Sequence, residues 1–343
     1  MKAPPKMQDV ARASGYSRAA VSMALRGDPS IPEETRDRIQ AVAQRIGYRA
    51  NPLVAALMSL QRQRRPTTRN TTTVAFLTSH PADFPWRKQP VYQRMFAGAE
   101  QRAGELGFRF EEFDLRARGM NAARARSIFE ARHIHAVVAA PLPYGETRLD
   151  FDFGALAVIG LGLSVHEPRI ERVSVDLFQS ARCAVERCVA LGYRRVGFAL
   201  SQETSQRLDQ RWLGGYWFAI EQLGLEARLP PLMPARTTEL AGALPAWLRT
   251  HKPDVVILGN AERELPDLIP ADVGLVLLSV DQPDGKQSGI YEDHELLGRI
   301  AVEHLVAKLN QNILGPLPQA RVQLVEGSWV AGKTAPGAGR RRS

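Results

Sequence analysis

From residue 73 onward, short apolar segments alternate with segments that have helical periodicity. TVAFLT at 73–78, AVVAA at 136–140 and GLVLLSV at 274–280 are apolar segments with no internal polar alternation. Such strands, when separated by helices, indicate parallel sheets that are buried on both faces. The pattern predicts roughly ten strands, which is enough for two doubly wound α/β subdomains.

The first fifty residues lack strand-like alternation and predict three short helices. The first, at 7–14, ends before Gly15, a residue suited to the left-handed conformation that stops a helix. The second begins after Ser17, whose hydroxyl can cap it, and the third begins with Pro32 at its first position. Two helices joined by a tight turn in a small helical unit predict a helix-turn-helix, whose second helix enters the DNA major groove.

Positive charge is concentrated at the N-terminus. The chain has a formal net charge of +9, and residues 1–65 contain 12 Lys and Arg against 5 Asp and Glu. Arg340, Arg341 and Arg342 carry three further charges, so the remaining body is close to neutral. A basic segment on a neutral body suggests a polyanionic partner, DNA or RNA, whereas the terminal arginines are typical of a solvated tail.

An apolar stretch from Leu53 to Leu60 lies between basic segments. Isolated helices shorter than about 12 to 15 residues are marginal in water, so this stretch is expected to become ordered only when a partner covers it. Arg62, Arg64 and Arg65 follow it, and they fit phosphate contacts and a solvated linker equally well.

The segment KMQDVARASGYSRAAVSMALRGDPSIPEETRDRIQAVAQRIGYRANP resembles the headpiece of the LacI/GalR family of bacterial transcription regulators. The matching landmarks are DVARASGYS at 9–17, VS at 21–22, TRDRI at 35–39 and GYRANP at 47–52. The body is similar, more loosely, to the ligand-binding core of that family, which has the fold of type I periplasmic binding proteins. The resemblance implies a homodimeric repressor that binds a palindromic DNA operator and responds to a small molecule.

The resemblance also implies which residues contact DNA. The implied base readers are Arg18, Ala19 and Met23 in the major groove, and Leu57 with Val54 of a hinge helix in the minor groove; the implied phosphate contacts are Ser17, Ser22, Thr35, Tyr48 and Asn51. Arg18 has an independent rationale, because a guanidinium can pair bidentately with guanine. Ser17 could instead serve only as a helix cap, Tyr48 only as a core residue and Ala19 only in packing.

The expected domains follow from these patterns. They are a headpiece at 1–50, a hinge helix and linker at 51–70, an effector-binding and dimerisation core at 71–333 and a basic disordered tail at 334–343. Within the core, the N-subdomain is expected at about 71–174 plus 292–320, and the C-subdomain at about 175–291 plus 321–333.

Ligands of open parallel sheets collect at the carboxyl ends of the strands, here in the cleft between two subdomains. The effector residues predicted on this basis are Thr78, Ser79, Trp86, Arg87, Ser201, Arg207, Arg211, Trp212, Asn260 and Asp281. Acid, amide, guanidinium and indole groups suit a hydroxylated ligand such as a sugar. An ordinary loop contact is an equally good interpretation of each residue, and a protein co-regulator is an alternative to a sugar.

Enzyme signatures are missing from the sequence. It has no Walker loop, no G-x-S-x-G elbow and no H-E-x-x-H motif, so neither catalysis nor a cofactor is expected. The pair His133 and His135 favours a structural role over a metal site, and Cys183 and Cys188 suggest two unpaired thiols. The rival class is a periplasmic solute receptor, but there is no signal-peptide core or apolar run of roughly 20 residues, so cytoplasmic localisation without a membrane partner is expected.

The hinge hypothesis yields a test at Leu57. Leu57→Ala should weaken operator binding far more than nonspecific DNA binding, because an apolar wedge contributes only where base pairs unstack at the operator centre. Competition titrations with operator and random duplexes measure both affinities. Equal losses on the two duplexes would contradict the wedge role.

Overall fold

The computed structural model describes residues 7–25, 31–46, 72–82, 84, 86–259 and 265–339. The predictions for Tyr48, Asn51, Val54, Leu57 and Asn260 lie outside these residues.

The N-terminal helices enclose a small apolar core. They are α1 (Met7–Ser14), α2 (Arg18–Leu25) and α3 (Glu33–Arg45), and the buried residues between them are Val10, Val21, Ala24, Ile39 and Ala43. Gly15 has φ +78°, which confirms that it ends α1 in the left-handed region. The start of α3 was predicted one residue too early. Pro32, with an extended ψ of 142°, is the residue before the helix, which begins at Glu33.

The first subdomain is built on a parallel sheet of six strands in the order β10-β5-β4-β3-β1-β2. The strands are β1 (Thr73–Thr78), β2 (Arg109–Asp114), β3 (Ala136–Ala139), β4 (Ala157–Leu161), β5 (Arg172–Val175) and β10 (Val322–Val325). Helices α4 (Pro90–Glu105) and α10 (His294–Gln311) pack on the face that includes Phe76 and Val138. Helix α5 (Ala122–Ala131) covers the other face, which includes Leu77 and Val137.

The second subdomain has a five-stranded sheet in the order β11-β9-β8-β7-β6. The strands are β6 (Val196–Ala199), β7 (Val255–Leu258), β8 (Gly274–Val280), β9 (Gly289–Tyr291) and β11 (Ser328–Val330), and β11 pairs antiparallel with β9. The helices are α6 (Leu177–Ala190), α7 (Gln202–Arg207), α8 (Arg211–Gln222) and α9 (Leu240–His251). The central strands are buried throughout, which explains their lack of polar alternation in the sequence. None of the described helices combines the length and apolarity needed to cross a membrane.

The described chain passes between the two subdomains at 175–177, 291–294 and 325–328. Asp176 and Asp293 stand at the first two passages, and each side-chain carboxylate accepts a hydrogen bond from the first turn of the following helix, at 3.1 and 2.9 Å. The third passage is later than the expected boundary at 321, because β10 continues the first sheet to Val325 before β11 joins the second.

The expected disordered tail from 334 is in part ordered. The Thr334 hydroxyl donates to the carbonyl of Leu275 at 2.8 Å, and Ala335 is buried. The amide of Gly337 donates to the Tyr193 hydroxyl at 3.2 Å. These contacts attach residues 334–337 to the second subdomain, a tertiary effect that the basic composition of the terminus concealed.

Helices α4 and α10 cross at two glycines. A Cβ added at Gly98 would lie 1.9 Å from the Glu295 carbonyl oxygen, and one at Gly298 would lie 2.1 Å from the Met95 carbonyl oxygen. Only glycine at both positions permits this backbone approach. By contrast, a Cβ at Gly104, near the end of α4, would meet nothing within 4 Å.

This crossing predicts opposite effects for two substitutions in α4. Gly98→Ala should destabilise the protein by roughly 1 to 3 kcal/mol, because the helices must separate. Gly104→Ala, the matched control, should be neutral or stabilising by up to about 1 kcal/mol through helix propensity. Chemical denaturation of both variants measures the difference, and similar midpoints for the two would refute the proposed crossing.

Candidate functional sites: the helix-turn-helix and the interdomain cleft

The second helix of the N-terminal unit begins at an exposed polar end. The Ser17 hydroxyl accepts a hydrogen bond from the amide of Ala20 at 3.1 Å, which confirms the predicted cap. Arg18 follows directly and is exposed. A capped, solvent-facing helix start of this kind can present its first side chains to another molecule.

The remaining predicted DNA contacts in the described part of the unit occupy α2 and α3. Val21 and Ala24 of α2 are buried, and the helical period places Ser22 and Met23 on the face away from that core. Both are half-buried, and Ala19 lies in the same helix. Thr35 is in the first turn of α3 and is half-buried.

Four of the residues predicted to bind the effector lie together at the edge of the first sheet. The carboxylate of Glu112 on β2 accepts hydrogen bonds from the Thr78 hydroxyl at 3.1 Å and from the Trp86 indole at 2.8 Å, and it forms an ion pair with Arg87. The neighbouring Ser79 hydroxyl accepts from the guanidinium of Arg116 at 3.2 Å. These groups satisfy one another, and they do not line the cavity between the subdomains.

The cavity between the subdomains has a volume of about 520 Å³. Its lining comes from the carboxyl ends of strands in both sheets, including the segments after β1, β3, β4, β6, β8 and β9. Of the predicted residues, Arg207, Trp212 and Asp281 line it. Ser201 and Arg211 do not: the Ser201 hydroxyl is bonded to Thr204 at 2.8 Å, and Arg211 forms an ion pair with Asp209 at 3.6 Å.

Arg207 of α7 reaches across the cleft to two tyrosines of the first subdomain. It donates a hydrogen bond to the Tyr92 hydroxyl, and its guanidinium carbon lies 4.8 Å from the centre of the Tyr144 ring and 5.8 Å from that of the Tyr92 ring. These distances are within the range of cation–π attraction. The buried Arg207 Nε has no hydrogen-bond partner among the described residues, and neither has Trp212 Nε1 nearby.

A second contact across the cleft joins Arg94 of α4 to Asp281 after β8. Arg94 donates to the Asp281 carbonyl oxygen, and its guanidinium lies 3.5 Å from the Asp281 carboxylate. The Arg94 side chain is only 12% exposed. The contact therefore holds the ends of both subdomains together beside the cavity.

A buried acid and a buried imidazole line the cavity where the chain returns to the first subdomain. Burial raises the pKa of Glu292 to about 8, despite a hydrogen bond from Ser180 and the nearby charge of Arg94. Burial and the same arginine lower the pKa of His294 to about 3. Both groups are therefore mainly uncharged at neutral pH, with 3.6 Å between Glu292 Oε2 and His294 Nε2.

Several cavity residues escaped the sequence prediction. They are Lys88, Tyr92, Tyr144, Thr204, Glu292 and His294. Glu292 and His294 follow β9, so the rule about strand ends applies to them, but a strand of three residues gives little periodic signal. Among the described residues, no group of three or more His, Cys, Asp or Glu side chains could hold a metal ion.

Comparison with known proteins identifies the N-terminal domain. Residues 6–51 match the family described as "Bacterial regulatory proteins, lacI family". The HTH-type transcriptional regulator GntR of Pseudomonas aeruginosa is 42% identical over 57 residues, which cover 17% of this chain and 17% of that relative. The matched stretch thus spans a small part of the relative. The N-terminal domain is a helix-turn-helix domain of the lacI family.

Solved structures are similar over nearly the whole chain. The transcriptional regulator CelR in complex with cellobiose is 20% identical, covers 99% of each chain and has a TM-score of 0.56. The lac repressor dimer bound to operator and the anti-inducer ONPF is 16% identical, with 99% of each chain covered and a TM-score of 0.53. A LacI-family regulator from Silicibacter pomeroyi is 17% identical, covers 96% of this chain and 99% of its own, and has a TM-score of 0.52. These likenesses show the fold, a helix-turn-helix domain followed by a parallel α/β core.

The buried acid predicts a pH dependence of stability. Because the pKa of Glu292 is raised from 4.5 to about 8, the native state keeps a proton that the unfolded state has lost, so this group's contribution to stability falls as pH rises from 4.5 to 8. Glu292→Gln should remove that fall, so its stability relative to the wild type should increase by up to about 1.4 kcal/mol per pH unit between pH 6 and 8.

Urea denaturation of both proteins across this range measures the effect. His294 is present in both proteins and cancels in the comparison. Glu226→Gln, a change at an exposed acid, is the control and should show a constant difference from the wild type. A constant difference for Glu292→Gln as well would contradict the raised pKa.

Proposed function

We propose that the chain is a transcription regulator in which the lacI-family domain binds DNA and a small molecule in the interdomain cleft controls that binding. The observation that carries this proposal is the combination of an exposed, capped second helix with a two-subdomain core whose cavity is lined by aromatic, hydroxyl and charged side chains among apolar ones. The proteins it resembles are regulators. A DNA target implies action in the bacterial cytoplasm, with no chemical step and no cofactor.

DNA recognition is assigned to α2 in the major groove. Exposed Arg18 at its first position would pair with a guanine, while Met23 and Ala19 would offer apolar contacts to neighbouring bases. Ser17, Ser22 and Thr35 would hold phosphates, which sets the register without reading sequence. Since phosphate contacts release counterions, operator affinity should fall steeply with salt.

A dimer on a palindromic operator completes the proposal. The lac repressor structure to which the chain is similar is a dimer bound to operator. In this chain Leu57 would insert into the minor groove at the operator centre with Val54 beside it, and Tyr48 and Asn51 would contact phosphates. These four assignments rest on the sequence resemblance. Repression is the regulatory outcome that we propose.

The effector site is proposed at the residues that line the cavity. Arg207, Trp212 and Asp281 remain from the sequence prediction, joined by Tyr92 and Tyr144. Aromatic faces beside hydroxyl and charged groups suit a sugar-like ligand, and CelR, a protein of the same fold, was solved with cellobiose. Thr78, Ser79, Trp86 and Arg87 would instead shape the loop that precedes α4.

The contacts across the cleft offer a route from ligand to DNA. Arg207 and Arg94 each join the two subdomains, so a ligand that binds beside them changes the relative stability of open and closed arrangements. The first subdomain follows residues 51–70 directly in the chain. A change of its position relative to a second copy would alter the separation of two hinge segments, and therefore the DNA affinity.

Selection of bound sequences from a random duplex library tests the DNA assignment. The wild type should enrich a palindrome, and Arg18→Ala should lose its preference at one base pair per half-site, because a bidentate contact contributes about 1 to 3 kcal/mol of discrimination. Arg38→Ala, a change at an exposed residue of α3, is the control and should retain the wild-type preference. An unchanged preference in Arg18→Ala would reject its reading role, and the absence of any enriched sequence would reject the function.

A further inference from the structure

We propose that the effector is a hydroxylated molecule with an anionic group, a carboxylate or a phosphate, that binds Arg207, and that the cleft selects it over the neutral parent compound. This inference rests on the proposed function of the cleft as the effector site. It narrows the ligand from sugars in general to acidic ones.

Arg207 is a cation without a protein counter-ion. No carboxylate of the described residues lies within 4.0 Å of its guanidinium, whose neighbours are the rings of Tyr92 and Tyr144, and its buried Nε has no acceptor there. The other cleft arginine, Arg94, is by contrast paired with Asp281. A guanidinium removed from water without an anion loses solvation that ring faces restore only in part. An anionic ligand would supply the partner.

The start of α4 adds positive potential at the same cavity. Gln89, Pro90, Val91 and Tyr92 all line it, and the amides of Val91 and Tyr92 precede the first intrahelical hydrogen bond, which runs from Gln93 to Gln89. The helix dipole places a partial positive charge at this end. Lys88, which directly precedes Gln89, also lines the cavity and is not ion-paired with any described residue.

The acidic groups that line the cavity do not neutralise this charge. Asp281 is held by Arg94, and Glu292 is mainly protonated at neutral pH, because burial raises its pKa to about 8. His294 does not add a charge at that pH. The described lining therefore has a positive excess from Arg207 and Lys88, and this excess favours an anion over a neutral sugar or a cation.

Other groups suit the hydroxylated part of the ligand. The Trp212 indole N–H is buried without a partner among the described residues. The hydroxyls of Thr204 and Thr237 line the same space, but they are already hydrogen-bonded to each other and to Ser201. Buried polar atoms are normally hydrogen-bonded, so the Trp212 N–H is a natural donor to a ligand hydroxyl. Tyr144 also lines the cavity and would supply an aromatic surface to the C–H side of the ligand.

The competing interpretation is that Arg207 serves only as a structural bridge across the cleft. In that case its removal would loosen the contact between the subdomains but would not discriminate between acidic and neutral ligands. Charge selectivity therefore separates the two interpretations.

The test uses the full-length protein and a panel of matched compounds. Thermal shift and calorimetry compare neutral hexoses and pentoses with their aldonic acids, uronic acids and phosphate esters, and acetate and inorganic phosphate serve as minimal anions. At least one acid should bind at least about tenfold more tightly than its neutral parent, as expected for a charge-assisted hydrogen bond. Comparison of the carboxylates with the phosphate esters identifies the anionic group.

Variants assign the selectivity to Arg207. Arg207→Met, which keeps an apolar chain between the tyrosines, should lose the preference for the acid, and Arg207→Lys should keep part of it. Arg228→Met removes an exposed arginine that is paired with Glu221 and is the matched control, with wild-type selectivity. A folded Arg207→Met, verified by its cooperative melting, that retains the preference would overturn the proposal.

Further outcomes are also decisive. The proposal would be overturned if a neutral parent bound more tightly than its acid. It would also be overturned if no compound of the panel bound and the minimal anions gave no stabilisation that depends on Arg207. Operator binding is measured in the same preparations. A neutral ligand that occupies the cleft and shifts operator affinity would refute only this inference, whereas a protein that binds no operator under any condition would refute the proposed function.

Discussion

A guanidinium of one subdomain held against two tyrosine rings of the other is the contact on which the geometry of the cleft depends. Arg207 belongs to α7 of the second subdomain, and its side chain contacts Tyr92 and Tyr144 of the first. Because a buried cation is costly without an anion, this contact is sensitive to any charged molecule that enters the cavity. In the proposed function, the same residue would join the subdomains and bind the effector.

Two polar clusters of similar composition differ in how many of their hydrogen-bonding groups have partners. Around Glu112, the polar groups of Thr78, Trp86 and Arg87 all have partners within the cluster, which indicates a structural role. In the cleft, the Arg207 Nε and the Trp212 Nε1 are buried donors that have no acceptor among the described residues. Since buried polar groups are normally satisfied, this difference separates a structural cluster from a candidate binding site more clearly than residue type does.

The N-terminal helical domain and the α/β core are stabilised in different ways. The three N-terminal helices depend on local signals, a serine cap and a left-handed glycine, around a core of small aliphatic side chains. The core depends on tight backbone crossings such as that of Gly98 with Glu295, which resists deformation inside the first subdomain. At two passages between the subdomains, Asp176 and Asp293 cap the following helices, so the chain enters each subdomain at an ordered helix start.

Sequence periodicity by itself determined most of the elements. The predicted strands at 73–78 and 274–280 agree with the structure, because burial on both faces of a parallel sheet produces a continuous apolar segment in the sequence. The turn between the first two helices was predictable for a local reason, since Gly15 ends α1 and Ser17 caps α2.

Only the tertiary structure decided which polar residues share the cavity. Arg207 and Arg211 are four residues apart, yet the left-handed residues Asp209 and Gln210 turn the chain between their helices, and only Arg207 lines the cleft. Its partner Tyr92 is 115 residues away in the sequence. Periodicity indicates which face of an element is buried. The contact between two distant residues depends instead on how the two sheets are placed relative to each other, and no local sequence pattern encodes that placement.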